Sequence, residues 1–226
     1  MKIKPNYFSG QDARTSEIIR KDGKKYTVRE DKLRFFFPDE WMVFFDNLKG
    51  LKQKITFRFL INTGARINEI TNIKVQDVDF DRLSIILRFT KSRNKDGTRK
   101  IRVISISEQF SKYLKKVIKR YNLKSTDKFP ILSDAAANIA MKGDEKSKRI
   151  GALQRAGIQD YKNFSVHSVR KTTEVWLLSL DIDSLKVAKH IGHTIAVAEK
   201  YYVSPDTFSW EDKQMMREVI GGLYGK

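Results

Sequence analysis

Apolar residues are sparse over the first 35 or so positions and become periodic from Phe35 onward. The early stretch RKDGKKYTVRED reads as a short turn between extended pieces. It is too short to build a second core, so residues 1–35 are expected to form an arm or linker remnant. FFFPDEWMVFFDNLKG carries Pro38 early, Asp39 and Glu40 in its first turn and Gly50 behind, which predicts a helix starting near Pro38 and stopping at Gly50. LKQKITFRFLINTG predicts a helix closed by Gly64, and ARINEITNI a short helix after it. The period then shifts. VDFDRLSIILRFT and RKIRVISI are rich in β-branched residues and flank the polar turn KSRNKDGT, the pattern of a β-hairpin. Ser107 opens a helix, SEQFSKYLKKVIKRY, with Phe110, Leu114, Val117, Ile118 and Tyr121 on one face. Helices are expected within 134–157 and over 167–180, 183–191 and 194–202. A last one begins at SWED, where Ser209 and Asp212 fit a capping box. The expected fold is mainly α with one small antiparallel β-sheet (α+β). Residues 36–226 form its domain, and 208–222 form a C-terminal helix whose apolar face suits docking on its own core or in trans on a neighbouring protomer.

Composition narrows the partner. The 226 residues carry a formal charge of +18, a surplus that repels itself unless a polyanion screens it. Nucleic acid is the first candidate and an anionic membrane the second; a charge that serves only solubility is the plainer alternative. The chain has no cysteine, which excludes disulfides and Cys-ligated zinc or iron–sulfur sites. No stretch approaches the ~20 apolar residues of a membrane span, and MKIKPNYFSG lacks a signal-peptide core, so a soluble, cytoplasmic protein is expected. The surplus is clustered. Arg88, Lys91, Arg93, Lys95, Arg99, Lys100 and Arg102 face the single acid Asp96 within 88–102. Lys112, Lys115, Lys116, Lys119 and Arg120 lie opposite the apolar stripe of their helix. A solvated helix face would explain the second cluster alone; a basic hairpin beside a basic helix suits a phosphate backbone.

Some polar residues remain that composition does not explain. TGARINEI sets Arg66 after a helix-ending glycine, with Glu69 on the same face; HSVRKT sets His167 and Arg170 three apart. HIGHTIAVAEKYY holds Gly192–His193 and a tandem tyrosine, Tyr201 and Tyr202. Singly each is weak, and Arg66–Glu69 reads equally as a surface ion pair. Their order, however, resembles the tyrosine recombinases, the integrase and Xer-type DNA strand-transfer enzymes, from about Pro38 to Tyr202. TGARINEITNIKVQDVDF is similar to the family's first-arginine box. LSIILRFTKSRNKDGTRKIRVISI is similar to its lysine-bearing hairpin, with Lys91 in the TK position. FSVHSVRKTTEVWLLSLDIDSLKVAKHIGHTIAVAEKYYV is similar to its second box. The sequence departs from the pattern at Ser168, where an acid is usual, at Lys171, where a histidine is common, at His190, where an aliphatic residue is usual, and in a longer hairpin turn.

The resemblance implies the fold of a DNA breaking-rejoining catalytic domain and metal-free, cofactor-free cleavage through a 3′-phosphotyrosyl intermediate. It assigns catalysis to Arg66, Lys91, His167, Arg170, His193 and Tyr202, with Glu69 in support. Helical periodicity does not choose between the two tyrosines; the family spacing from His193 favours Tyr202 and leaves Tyr201 to pack. Arg93, Lys95, Arg99, Lys100, Lys112 and Lys116 are expected to contact phosphates, and Trp41, Trp176 and Trp210 to pack. The implied partner is double-stranded DNA, on which monomers or weak oligomers assemble into a tetrameric synapse. Family members usually add an N-terminal helical domain, so about 35 preceding residues predict weaker, less site-selective binding. A type IB topoisomerase and a non-catalytic basic DNA-binding protein on the same fold are the rival expectations.

Overall fold

The computed structural model describes residues 15–20, 23, 25–29, 34–88, 90, 97–192 and 207–224. Lys91, Arg93, Lys95, His193, Tyr201, Tyr202 and the helix expected over 194–202 lie outside the described residues.

Two helices form the centre. α2 (Leu51–Thr63) buries every residue from Phe59 to Thr63, and α7 (Val166–Ser179) buries nearly its whole surface. They pack on each other, and Thr173 Oγ1 of α7 donates to the Ile61 carbonyl of α2 at 3.0 Å. Threonine suits this contact because its hydroxyl finds a backbone acceptor where a charge would be stranded. α1 (Pro38–Asp46) covers one side with an aromatic cluster. Phe36 lies 4.5 Å from Phe164 and 5.0 Å from Phe44 between ring centroids, and Trp41 meets Trp176 edge-on at 6.4 Å. The Trp176 indole donates to the Phe36 carbonyl at 3.0 Å, satisfying its one polar atom. Trp41 and Trp176 thus pack as expected. Trp210 does not: it is 69 % exposed at the start of its helix, with its indole turned out of the core.

α1 ends at Asp46, and Gly50, expected to close it, instead caps the N-terminus of α2 in extended conformation. Beyond α2 come α3 (Ile67–Ile70) and a three-stranded antiparallel sheet, β3 (Val78–Asp79), β4 (Ser84–Leu87) and β5 (Arg102–Ser105), with β4 in the middle. Ile85 pairs with Ile104 and Leu87 with Arg102. α4 (Glu108–Tyr121) follows, its Ser107 cap accepting from the Phe110 amide at 3.2 Å.

The expected single sheet is an undercount, because two further antiparallel hairpins are present. The expected arm carries β1 (Thr15–Ile19) and β2 (Lys25–Arg29). Arg20, at its turn, bridges Asp39 at 2.6 Å and Asp212 at 2.8 Å, with its guanidinium 4.0 Å from the Phe37 ring centroid. Arg34 does similar work, holding Glu40 and Asp160 at 2.6 Å each. The third sheet, β6 (Gly143–Asp144) with β7 (Arg149–Ile150), splits the segment expected to be helical within 134–157 into α5 (Asp134–Lys142) and α6 (Ala152–Arg155).

α8 (Ser184–Ile191) and α9 (Trp210–Ile220) complete the domain. The Ser209–Asp212 capping box forms reciprocally, at 3.1 and 3.2 Å. α9 packs on α1, α2 and α7 of its own chain, burying Met216 and Ile220. No described helix is long and apolar enough to cross a membrane.

Candidate active site

The turn after α2 is where distant segments meet. Gly64 caps the helix in the left-handed region at φ 55°, its amide donating to the Leu60 carbonyl at 2.8 Å. A side chain is excluded there twice over. The backbone conformation disfavours one, and an added methyl would overlap Ile191 Cδ1 of α8 and stand 3.3 Å from Thr173 Cγ2 of α7. This close approach lets the Gly64 carbonyl accept from Arg170 Nη1 at 2.8 Å. The two arginines singled out in the sequence, separated by more than a hundred positions, are thereby brought to one place.

Arg66 starts α3 in extended conformation, with its side chain 35 % exposed. Glu69 folds back beneath it. Its Oε2 accepts from the Arg66 amide at 2.8 Å and its Oε1 lies 3.2 Å from Arg66 Nη1. The same Oε2 also accepts from Arg102 Nη2 at 2.8 Å, so one carboxylate buried within the fold holds two guanidinium groups.

Arg102 was not singled out in the sequence beyond its place in the basic hairpin. Unlike its exposed neighbours Arg99 and Lys100, it points inward from β5, its side chain 13 % exposed, and bonds the carbonyls of His190, at 3.1 Å, and Ile191. The signal that finds it is alternation. Arg102 shares a strand face with buried Ile104, while Ile101 and Val103 face outward, about 60 % exposed. Glu174 was also passed over. Buried one turn beyond Arg170 on α7, it sits within that arginine's electrostatic reach.

His167 lies in the first turn of α7 with an open face to solvent. Ser165 caps this helix, accepting from the His167 amide at 3.2 Å, and Ser168 returns the bond by accepting from the Ser165 amide at 3.0 Å. Serine at 168, where an acid is usual in the resembled family, thus closes the helix start. His167 titrates below the ordinary histidine range. Burial of its inner edge is the largest cause, followed by repulsion from Arg170 and Arg66. Arg170 is lowered to about 10 by burial first, then by Arg66 and Arg102, with Glu69 and Glu174 opposing. It therefore stays charged at neutral pH while His167 is neutral. His190 is buried scaffold, pushed down to about 3 by burial and then by Arg102 and Arg170; its Nδ1 lies 2.9 Å from Tyr224 Oη.

Among the expected phosphate contacts, Arg99, Lys100, Lys112 and Lys116 are all exposed. Lys112 also pairs with Glu108 at 2.7 Å.

A family model described as the phage integrase family matches residues 38–207, which is most of the chain. The chain belongs to the phage integrase family. Among named relatives of this integrase-family chain, the tyrosine recombinase XerC of Staphylococcus epidermidis is 27 % identical over 172 residues, covering 71 % of the chain and 53 % of the relative. The tyrosine recombinase XerA of Saccharolobus solfataricus is 28 % identical over 145 residues, covering 64 % and 43 %. The chain spans about half the length of the relatives it matches. Two solved structures share the integrase-family fold. The Tn1549 transposon integrase in complex with transposon right end DNA superposes with TM-score 0.57 at 17 % identity, over 86 % of this chain and 67 % of that one. An XerA recombinase superposes with TM-score 0.53 at 18 % identity, over 83 % and 65 %.

Proposed function

We propose that this chain is the catalytic portion of a site-specific DNA recombinase that cleaves and rejoins strands through a 3′-phosphotyrosyl intermediate. The observation that carries this reading is the convergence of Arg66 and Arg170 beside His167, from segments far apart in sequence. Family membership and the +18 charge support it.

Diester cleavage by this route needs a nucleophile, donors for the charge that builds on the phosphate, and a proton for the leaving oxygen. A guanidinium carries five N–H donors, and among the described residues the side chain of Arg170 is seen to spend one on Gly64 and that of Arg66 one on Glu69, which leaves donors for a phosphate. Those donors meet the two non-bridging oxygens, and His193 supplies a third contact. Tyr202 Oη attacks phosphorus while the bond to the 5′ oxygen breaks. Neutral His167 takes the phenol proton, and Lys91 protonates the departing 5′ oxygen. The phosphotyrosyl ester keeps the bond energy, so a 5′-hydroxyl from a second duplex can displace Tyr202 and join the strands without ATP. Arg99, Lys100, Lys112 and Lys116, with Arg93 and Lys95, hold the phosphate backbone. Four protomers assemble on the DNA, and the reaction takes place in the cytoplasm.

A nicked suicide duplex, from which the cleaved fragment diffuses away, tests this reading. Wild type should trap a covalent protein–DNA adduct and, with two intact duplexes, yield joined products. Arg66→Ala and Arg170→Ala should keep DNA binding and lose cleavage by about 10²-fold or more. DNA bound by wild type without any adduct would leave only a basic scaffold. Relaxation of supercoils without joined duplexes would point to topoisomerase action.

A further inference from the structure

Three segments that nothing in the sequence links, the start of α3, strand β5 and the end of α8, are tied through one side chain. The Arg102 guanidinium reaches Glu69 Oε2 at 2.8 Å with Nη2, and its Nη1 serves the His190 carbonyl at 3.1 Å and the Ile191 carbonyl. The last carbonyls of a helix lack partners within it and attract a cation, so Arg102 caps α8 as it grips Glu69. Gly192, next in the chain at φ 83°, leaves room for this contact, because a side chain there would strike the same guanidinium. Glu69 in turn holds both the backbone amide and the guanidinium of Arg66.

We propose that Arg102 is a positioning residue for strand cleavage: it locks Glu69, and through it Arg66, at a fixed place relative to the end of α8. This rests on the strand-transfer reading of the site and adds a residue that touches no DNA. Among the described residues both terminal nitrogens of Arg102 bond protein acceptors, whereas a single terminal nitrogen is seen to do so in Arg66 and in Arg170. A lysine at 102 keeps the charge, but a single ammonium cannot span the carboxylate and the carbonyls in the fixed fork that a guanidinium provides.

The test uses the suicide duplex at saturating DNA, single-turnover, with affinity and thermal unfolding measured alongside. Arg102→Lys should slow cleavage by about 10- to 100-fold, since misplacing a reacting group by about 1 Å costs on that order, while DNA affinity changes little. Glu69→Gln, which keeps the side-chain shape, should slow cleavage in the same way. The double variant should be no slower than the slower single, because both act through one link. A fall in cleavage that only tracks lost DNA affinity, or effects of the two changes that multiply, overturns the proposal. Glu69→Gln cleaving at the wild-type rate also overturns it, even if Arg102→Lys fails to fold. A wild type that forms no adduct sinks the strand-transfer reading and this inference together. A wild type that forms one while both variants match it sinks this inference alone.

Discussion

Replacing Gly64 by alanine adds one methyl group where α2, α7 and the end of α8 meet. Two costs follow. The left-handed backbone at φ 55° penalises any L side chain by about 1–2 kcal/mol. The new methyl also overlaps Ile191 Cδ1, the tip of a side chain 0 % exposed that must shift within the packed interior, so an overpacking cost of about 1–3 kcal/mol adds to the first. Gly157 supplies the control. It has the same backbone sign, φ 72°, but nothing lies within 4 Å of an added methyl, so Gly157→Ala bears only the first cost. Urea unfolding of both variants should place Gly64→Ala below Gly157→Ala by about 1–3 kcal/mol, the packing part alone. Because the Gly64 carbonyl holds Arg170 Nη1, cleavage of the suicide duplex should slow in Gly64→Ala and not in Gly157→Ala. Equal stability losses in the two variants would refute the close packing at this junction. Equal cleavage would refute its link to Arg170.

His190 should make the protein acid-sensitive. Its folded value near 3 lies below the ordinary histidine value of 6.5, so its contribution to stability is full above pH 6.5 and is lost progressively as pH falls toward 3. Between pH 6.5 and 4.5, wild type should lose about 2–3 kcal/mol more than His190→Leu, a difference that cancels the carboxylates common to both; parallel losses in urea titrations would count against a buried neutral imidazole. On α4, replacing Lys112 and Lys116 by glutamine should shallow the slope of log affinity against log salt by about 0.9 for each phosphate contact removed. An unchanged slope would mean that this basic face is only solvated.

Much of the architecture was legible from local chemistry. Gly64 as a helix stop, Ser107 as a cap and the Ser209–Asp212 box each act within one turn, so spacing alone reveals them. Gly50 misled because glycine suits either side of a helix boundary, and here it opens α2. The β6–β7 hairpin was hidden because its close approach, in which a methyl on Gly151 would strike the Lys142 and Gly143 backbone, is tertiary. Strand β5 was ambiguous in a different way. Ile101 and Val103 on one face, or Arg102 and Ile104 on the other, both read as a buried set. What decides is that Arg102 finds a carboxylate and two carbonyls inside, and their partners lie at positions 69, 190 and 191, beyond any local pattern. For the same reason the ordered motifs pointed to Arg66, Glu69, His167 and Arg170, while Arg102, which holds Glu69, lay beyond any local pattern.

The measurement that bears most directly on the central claim is the identity of the residue joined to DNA. Adduct trapped on the suicide duplex would be digested with protease and nuclease, and the peptide carrying a 3′-nucleotide sequenced by mass spectrometry. The account predicts the modification on Tyr202, retained in Tyr201→Phe and abolished in Tyr202→Phe. A modified Tyr201, a nucleotide on any other side chain, or linkage through a 5′-phosphate would contradict it.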